Sequence, residues 1–208
     1  MELFEALKQR RSINFFDADK ELPDETIKEL LEIANTTPSS FNLQPWEVIV
    51  VKNKEKKKLL KELAFNQPKV EEASALLIVL ADEEGLEKNI DQVLDSWVDL
   101  GYMPQEQADQ VKGMPANLYL EKGSINRIRF ATKNAAFFAM TLMIAAKGLG
   151  LDTHPIDGIL EDKIKEAFGI KEHKSVPLLI ALGYKKPGFE LLPRAFRRKV
   201  DDFTTFLD

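Results

Sequence analysis

Four short polar stretches hold the side chains that could do chemistry. Arg10, Ser12 and Asn14 recur at every second position. On an extended chain that spacing puts a cation, a hydroxyl and an amide on one face. The set suits a phosphate with a sugar chain attached, although a solvated strand edge beside a charged helix accounts for it as well. Pro38-Ser39-Ser40-Phe41-Asn42-Leu43-Gln44-Pro45-Trp46 brackets hydroxyls and amides between two prolines, just ahead of an apolar run. Loops in such places bind small ligands, or simply join a helix to a strand. Phe65-Asn66-Gln67-Pro68-Lys69 sets an amide near an ammonium, with a helix end carrying a terminal lysine as the plain alternative. His154-Pro155-Ile156-Asp157-Gly158 joins a strand to a helix, where Asp157 could serve only as an N-cap.

Familiar signatures of other chemistries are broken or missing. Gly148-Leu149-Gly150 begins like a dinucleotide loop, but Thr153 stands at the third glycine position. There is no GxxxxGK phosphate loop and no GxSxG nucleophile elbow. Cysteine is absent, which excludes disulfides, Cys-ligated metal centres and a thiolate nucleophile. With His154 and His173 the only histidines, a three-histidine metal site is excluded too. No acidic cluster shows metal-ligand spacing along the chain, so no metal is expected.

The elements that must position these residues alternate along the chain. Leu3 and Leu7 suggest a first helix, and Arg11 to Phe16 an extended stretch. Asp24 reads as the N-cap of a helix whose apolar face is Ile27, Leu30, Leu31 and Ala34, ending before Pro38. Trp46 to Val51 reads as a strand and Lys54 to Ala64 as a helix. The unbroken apolar run Ala75 to Ala81 reads as a strand buried on both faces. Residues 85–123 are polar and weakly patterned, an expected helical insert anchored by Trp97, Tyr102 and Tyr119. Arg129 to Lys147 reads as a helix apolar nearly all round, which calls for a core or a subunit interface. A strand (Leu151 to Ile156), a helix (Leu160 to Phe168) and a strand (Val176 to Leu182) follow. The tail mixes Arg194, Arg197 and Arg198 with Phe203 and Phe206. No repeat or linker interrupts the order, so one domain over residues 1–208 is expected, α/β or α+β.

Composition narrows the class further. The chain has 208 residues, 44% hydrophobic and 30% charged, as soluble globular domains do. Its 29 basic and 34 acidic side chains leave a charge of −5, with no footprint for nucleic acid. The N-terminus lacks the apolar core of a signal peptide. Asn134 to Ala146, the longest uncharged run, falls short of the roughly 20 residues that span a bilayer. A cytoplasmic protein without nucleic-acid or membrane partners is expected.

Taken in order, RRSINFFD, TPSSFNLQPWEVIVV, FNQPK and LGLDTHPIDGI resemble the nitroreductase family of FMN enzymes. The resemblance covers the chain apart from residues 85–123. It implies an α+β fold with a central, mostly antiparallel sheet flanked by helices. It also implies a homodimer with an exchanged C-terminal arm, here the segment through Phe203 and Phe206, and two FMN molecules at the interface. The apolar helix through Phe137, Phe138, Met140 and Met143 becomes the expected interface helix.

Matched residue by residue, the resemblance assigns Arg10, Arg11 and Ser12 to the FMN phosphate and ribityl chain. Asn14 stands where many members carry Arg or Lys, which removes a positive charge from that spot. Arg197 matches the phosphate-binding residue of the tail, with Arg198 next and Arg194 as the alternative register. Pro38, Ser39, Ser40, Asn42 and Gln44 match the loop that crosses the partner's flavin. Asn66 and Lys69 match the residues at the pyrimidine edge, where a cation would stabilise reduced flavin. Asp157 and Gly158 match the acidic residue and the glycine beside flavin N5, with Pro155 and Ile156 just before them among the cofactor-binding residues. The implied activity is a ping-pong transfer of hydride from NAD(P)H through FMN to a nitroaromatic or quinone acceptor. A narrower reductive task, such as dehalogenation or enone reduction, and a flavin-binding sensor with little turnover are the alternatives.

Overall fold

A computed structural model describes residues 2–207. Its centre is a four-stranded sheet in the order β1 (Trp46–Val51), β2 (Ala75–Asp82), β4 (Lys174–Gly183), β3 (Asp152–Ile156). All three pairings are antiparallel, so the expected α+β class holds and the sheet is more uniform than expected.

The apolar run of β2 is buried along its whole length. Period-two alternation splits it between two cores. Ala75, Leu77, Val79 and Ala81 face one cluster with Leu30 of α2 (Asp24–Ala34) and with Phe138 and Leu142 of α8 (Ile125–Gly148). Leu76, Ile78 and Leu80 face the other, with Leu60 of α3 (Lys54–Leu63), Val70 of α4 (Pro68–Glu72) and Ile164 of α9 (Glu161–Phe168). A helix layer on each side explains why this strand shows no polar face.

Several boundaries differ from the sequence reading. Asp24 is not the N-cap of α2, a position held by Pro23 without a side-chain cap. Asp24 instead pairs with Lys52 at 2.6 Å. The long helix starts a turn earlier than expected because the Ser124 hydroxyl accepts from the Arg127 amide at 3.2 Å. Residues 85–123 form α5 (Gly85–Asp99), α6 (Gln105–Val111) and α7 (Met114–Tyr119). Trp97 and Tyr119 pack against the core as anchors, whereas Tyr102 is exposed. Arg127 is the true anchor: buried, it donates to both Glu87 carboxylate oxygens (2.7 and 2.9 Å), to the Glu83 carbonyl at 2.9 Å and to the Leu120 carbonyl. No helix of the described residues is long and apolar enough to cross a membrane.

Candidate functional site

The expected period-two alternation at the N-terminus is seen over Ser12, Ile13 and Asn14, whereas Arg10 and Arg11 are both half-buried. After α1 (Leu3–Gln9), Ser12 bridges Thr153 of β3 in parallel, and the Ile13 amide donates to the Thr153 carbonyl at 3.1 Å. Ile13 is buried, Ser12 and Asn14 are exposed, and Arg10 is half-buried. The core therefore holds Ile13 while Ser12 and Asn14 turn outward, with Arg10 half-buried beside them.

The tail returns along this segment. Phe189 meets the Phe15 ring at 4.5 Å, and Arg11 donates to the Leu192 carbonyl at 3.1 Å. Arg194 donates to the carbonyls of Lys8 (2.5 Å) and Arg10 (3.3 Å). Burial, then Arg194, Arg197 and Arg11, hold the Arg10 guanidinium below its ordinary pKa. Arg10 Nη1 is buried without a hydrogen-bond partner, and none of the four arginines forms an ion pair among the described residues. Arg198 departs from this group, its guanidinium lying 5.2 Å over the Phe203 ring.

A second set of groups lies beside the first. Lys69 of α4 donates to Asn14 Oδ1 at 3.1 Å, and burial lowers its pKa. His154 Nδ1 lies 3.0 Å from the Ile13 carbonyl. Burial first, then Lys69, with Arg10 adding to them, push His154 down to about 4 against the opposing Ile13 carbonyl. Gln67 Nε2 donates to the Gly158 carbonyl at 3.2 Å, tying residues 65–69 to the end of β3. Phe65 and Asn66 both take left-handed backbone, at φ 54° and 58°, a strained pair of the kind that gathers at functional sites. A Cβ at Gly158 would meet only ordinary contacts, Gln67 at 3.6 Å and Phe65 at 3.7 Å. The fold alone therefore does not demand glycine there. Leu160 occupies the N-cap of α9, so Asp157 is exposed without a capping duty.

The Pro38–Gln44 loop stands apart from these groups. It leads into β1, one edge of the sheet, whereas the Arg10–Asn14 segment and His154–Gly158 belong to β3, the opposite edge. Phe41, Asn42 and Gln44 all take positive φ (55°, 54° and 45°). The loop is held by the Ser40 amide donating to Asn134 Oδ1 at 3.1 Å and the Gln44 amide donating to Ser39 Oγ at 2.9 Å. Asn134, 0% exposed on α8, donates in turn to the Phe130 carbonyl.

Comparison with known proteins decides the family. The model of the Nitroreductase family matches residues 7–184. The chain belongs to the nitroreductase family. It is 35% identical over 181 residues to YdgI of Bacillus subtilis, named among the NAD(P)H nitroreductases, covering 86% of each chain. Among solved structures, B. subtilis ydfN, a nitroreductase by name, superposes with a TM-score of 0.91 at 27% identity over 98% of each chain. A nitroreductase of Exiguobacterium sibiricum, solved in complex with FMN, gives a TM-score of 0.86 at 31% identity, over 99% of this chain and 97% of that one.

For a nitroreductase-family chain, the sequence motifs left two single residues and one cluster unread. His154 was passed over as part of a strand end, although its partner Ile13 lies within the first motif. Asn134 gave no signal inside an apolar helix, because its role is to hold a loop remote in sequence. Asp82, Glu84 and His173 bring ligand-type atoms within 4.8 Å of one another, a cluster that spacing along the chain did not suggest. Lys88 at 2.7 Å from Asp82 and Lys122 at 2.8 Å from Glu84 already balance it. The Lys122 hydrogen bond is the main reason the Glu84 carboxyl falls to about 2.

Proposed function

We infer that this nitroreductase-family protein is an FMN-dependent oxidoreductase that takes electrons from NAD(P)H and delivers them to a nitroaromatic, quinone or similar acceptor. The observation that carries the reading is Arg10 Nη1, buried and unpartnered among Arg11, Arg194 and Arg197. A buried polar group without a partner costs free energy, and cations gathered without carboxylates repel. A phosphate dianion relieves both at once through charge-assisted hydrogen bonds. These residues therefore fit the phosphate of FMN, with Ser12 beside it.

Lys69 and Asn14 would hold the pyrimidine edge, where the Lys69 ammonium favours an anionic reduced ring. Asn66 lies in the same strained turn. Pro155, Ile156, Asp157 and Gly158 would line the ring's central edge, the small Gly158 leaving room for close approach. FMN, when bound, supplies the hydride transfer in a ping-pong order, and the side chains need only bind, orient and tune it.

The Pro38–Gln44 loop reads as a contribution to the site of a second copy. Two facts support a homodimer: the loop sits on the opposite edge of its own sheet, and apolar side chains stand exposed. Phe137 (49%) and Met140 (41%) of α8 and Phe206 of the tail (82%) have no cover in one chain. Residues 85–123 would then cap the acceptor's entrance and set its size.

An absorbance spectrum of the purified protein, before and after NADH or NADPH is added without oxygen, tests the reading. A flavin spectrum that bleaches, and recovers with a quinone, is the expected result. A protein that takes up no FMN would overturn it.

A further inference from the structure

His154 has one ring nitrogen engaged and the other free. A carbonyl oxygen can only accept, so the 3.0 Å contact with Ile13 puts the proton on Nδ1. Nε2 then carries a bare lone pair, with no hydrogen bond among the described residues. The charged groups that face this ring are Arg10 from the N-terminal segment and Lys69 from α4. Both oppose a second proton, as does burial, and they keep the imidazole in its neutral state.

The rest of the neighbourhood offers donors: the guanidinium of Arg10, the ammonium of Lys69 and the arginines of the tail. A flavin mononucleotide answers donors almost everywhere, since its phosphate, its ring carbonyls, N1 and N5 all accept. Its own donors are the ribityl hydroxyls and ring N3–H. An acceptor that faces both the cation assigned to the phosphate and the cation assigned to the ring is placed to meet the part that joins them.

We propose that His154 is a cofactor-binding residue whose Nε2 accepts a hydrogen bond from a ribityl hydroxyl of FMN, while Nδ1–H holds Ile13 in place. The assignment rests on the FMN reading above. It gives the residue two jobs, one on each nitrogen, and accounts for an imidazole kept neutral between two cations.

Two variants and two ligands test it. His154→Asn keeps a short amide donor for Ile13 but has nothing at the position of Nε2. His154→Gln reaches that position and gives up the inner bond. Affinity is read by quenching of flavin fluorescence, with FMN and with a phosphorylated flavin whose five-carbon chain lacks hydroxyls. H154N should bind FMN roughly three- to tenfold more weakly than wild type, the worth of one neutral hydrogen bond. It should bind the hydroxyl-free analogue as wild type does, and H154Q should keep part of the preference for FMN. Equal FMN affinity in H154N and wild type would overturn the proposal. An equal loss with both ligands would also overturn it, pointing to ring N3–H or to a purely structural role. Wild type that binds neither flavin would overturn the FMN reading itself, a result distinct from either of these.

Discussion

Arg194 donates to the backbone carbonyl of Arg10 at 3.3 Å, so the tail carries a cation to an arginine whose Nη1 is already buried without a partner. This arrangement favours an anion at the expense of the empty protein. Arg10→Met should weaken FMN binding by roughly tenfold to a hundredfold, since a hydrogen bond to a charged group is worth about 1.5–3 kcal/mol. The flavin-free variant should unfold at the same urea concentration as wild type or a higher one, because charge repulsion is relieved. Fluorescence titration and urea denaturation read the two effects separately. Loss of stability with unchanged affinity would assign Arg10 a structural role instead.

Asn14 accepts from Lys69 at 3.1 Å, a neutral amide beside the one ammonium of this part of the site. Asn14→Lys adds a positive charge beside the reduced ring and should raise the two-electron midpoint potential by on the order of 30 mV, the equivalent of about 1.4 kcal/mol. Lys69→Met should lower it by a similar amount. Potentiometric titration of the flavin checks both signs, and a shift in the same direction for the two variants would contradict the placement.

His154 also predicts a pH dependence of stability. The unfolded imidazole takes up a proton near 6.5, whereas the folded one resists until about 4. Its contribution is therefore complete above pH 6.5 and is lost as pH falls toward 4. The ring is only partly buried, and after solvent screening about 1–2 kcal/mol should remain. Urea denaturation of wild type and His154→Asn at several pH values isolates it: the difference between them should shrink across that window.

The fold was largely legible because its core strand and long helix are marked by uninterrupted apolar runs. Ala75 to Ala81 can only be buried on both faces, and that places helices on both sides of the sheet. The outward turn of Ser12 and Asn14 about the buried Ile13 was legible for the same reason, through period-two spacing. What escaped the sequence depends on partners remote along the chain. Asp24 looked like a cap because its type fits one, yet Lys52 on a neighbouring element claims it. Tyr102 looked like an anchor because it is large, whereas the charged Arg127 does that work. Arg197 and Arg198 differ only in which way an irregular tail turns, and no local rule decides that.

Arg127 gives a test of how residues 85–123 are held. It is buried, whereas its partner Glu87 is half exposed. Arg127→Met leaves the carbonyls of Leu120 and Glu83 without a donor and should cost about 3–5 kcal/mol. Glu87→Gln should cost less, about 1–3 kcal/mol, since the amide oxygen still accepts from Arg127 while the buried guanidinium loses its counter-charge. Urea midpoints rank the two, and equal losses would mean that the ion pair, not the carbonyl contacts, holds the insert.

Phe137 is half exposed on a helix whose other faces are buried in the core. If a second copy covers it, burial of a phenylalanine contributes about 1.5–3 kcal/mol per protomer. Phe137→Glu puts an unpaired charge there and should yield a monomer by light scattering. The monomer should keep its far-ultraviolet circular dichroism, since this side chain is outside the core of its own chain. It should also bind FMN more weakly, because the Pro38–Gln44 loop no longer reaches the partner's site. A monomer that binds FMN as tightly as wild type would show that the loop serves another purpose.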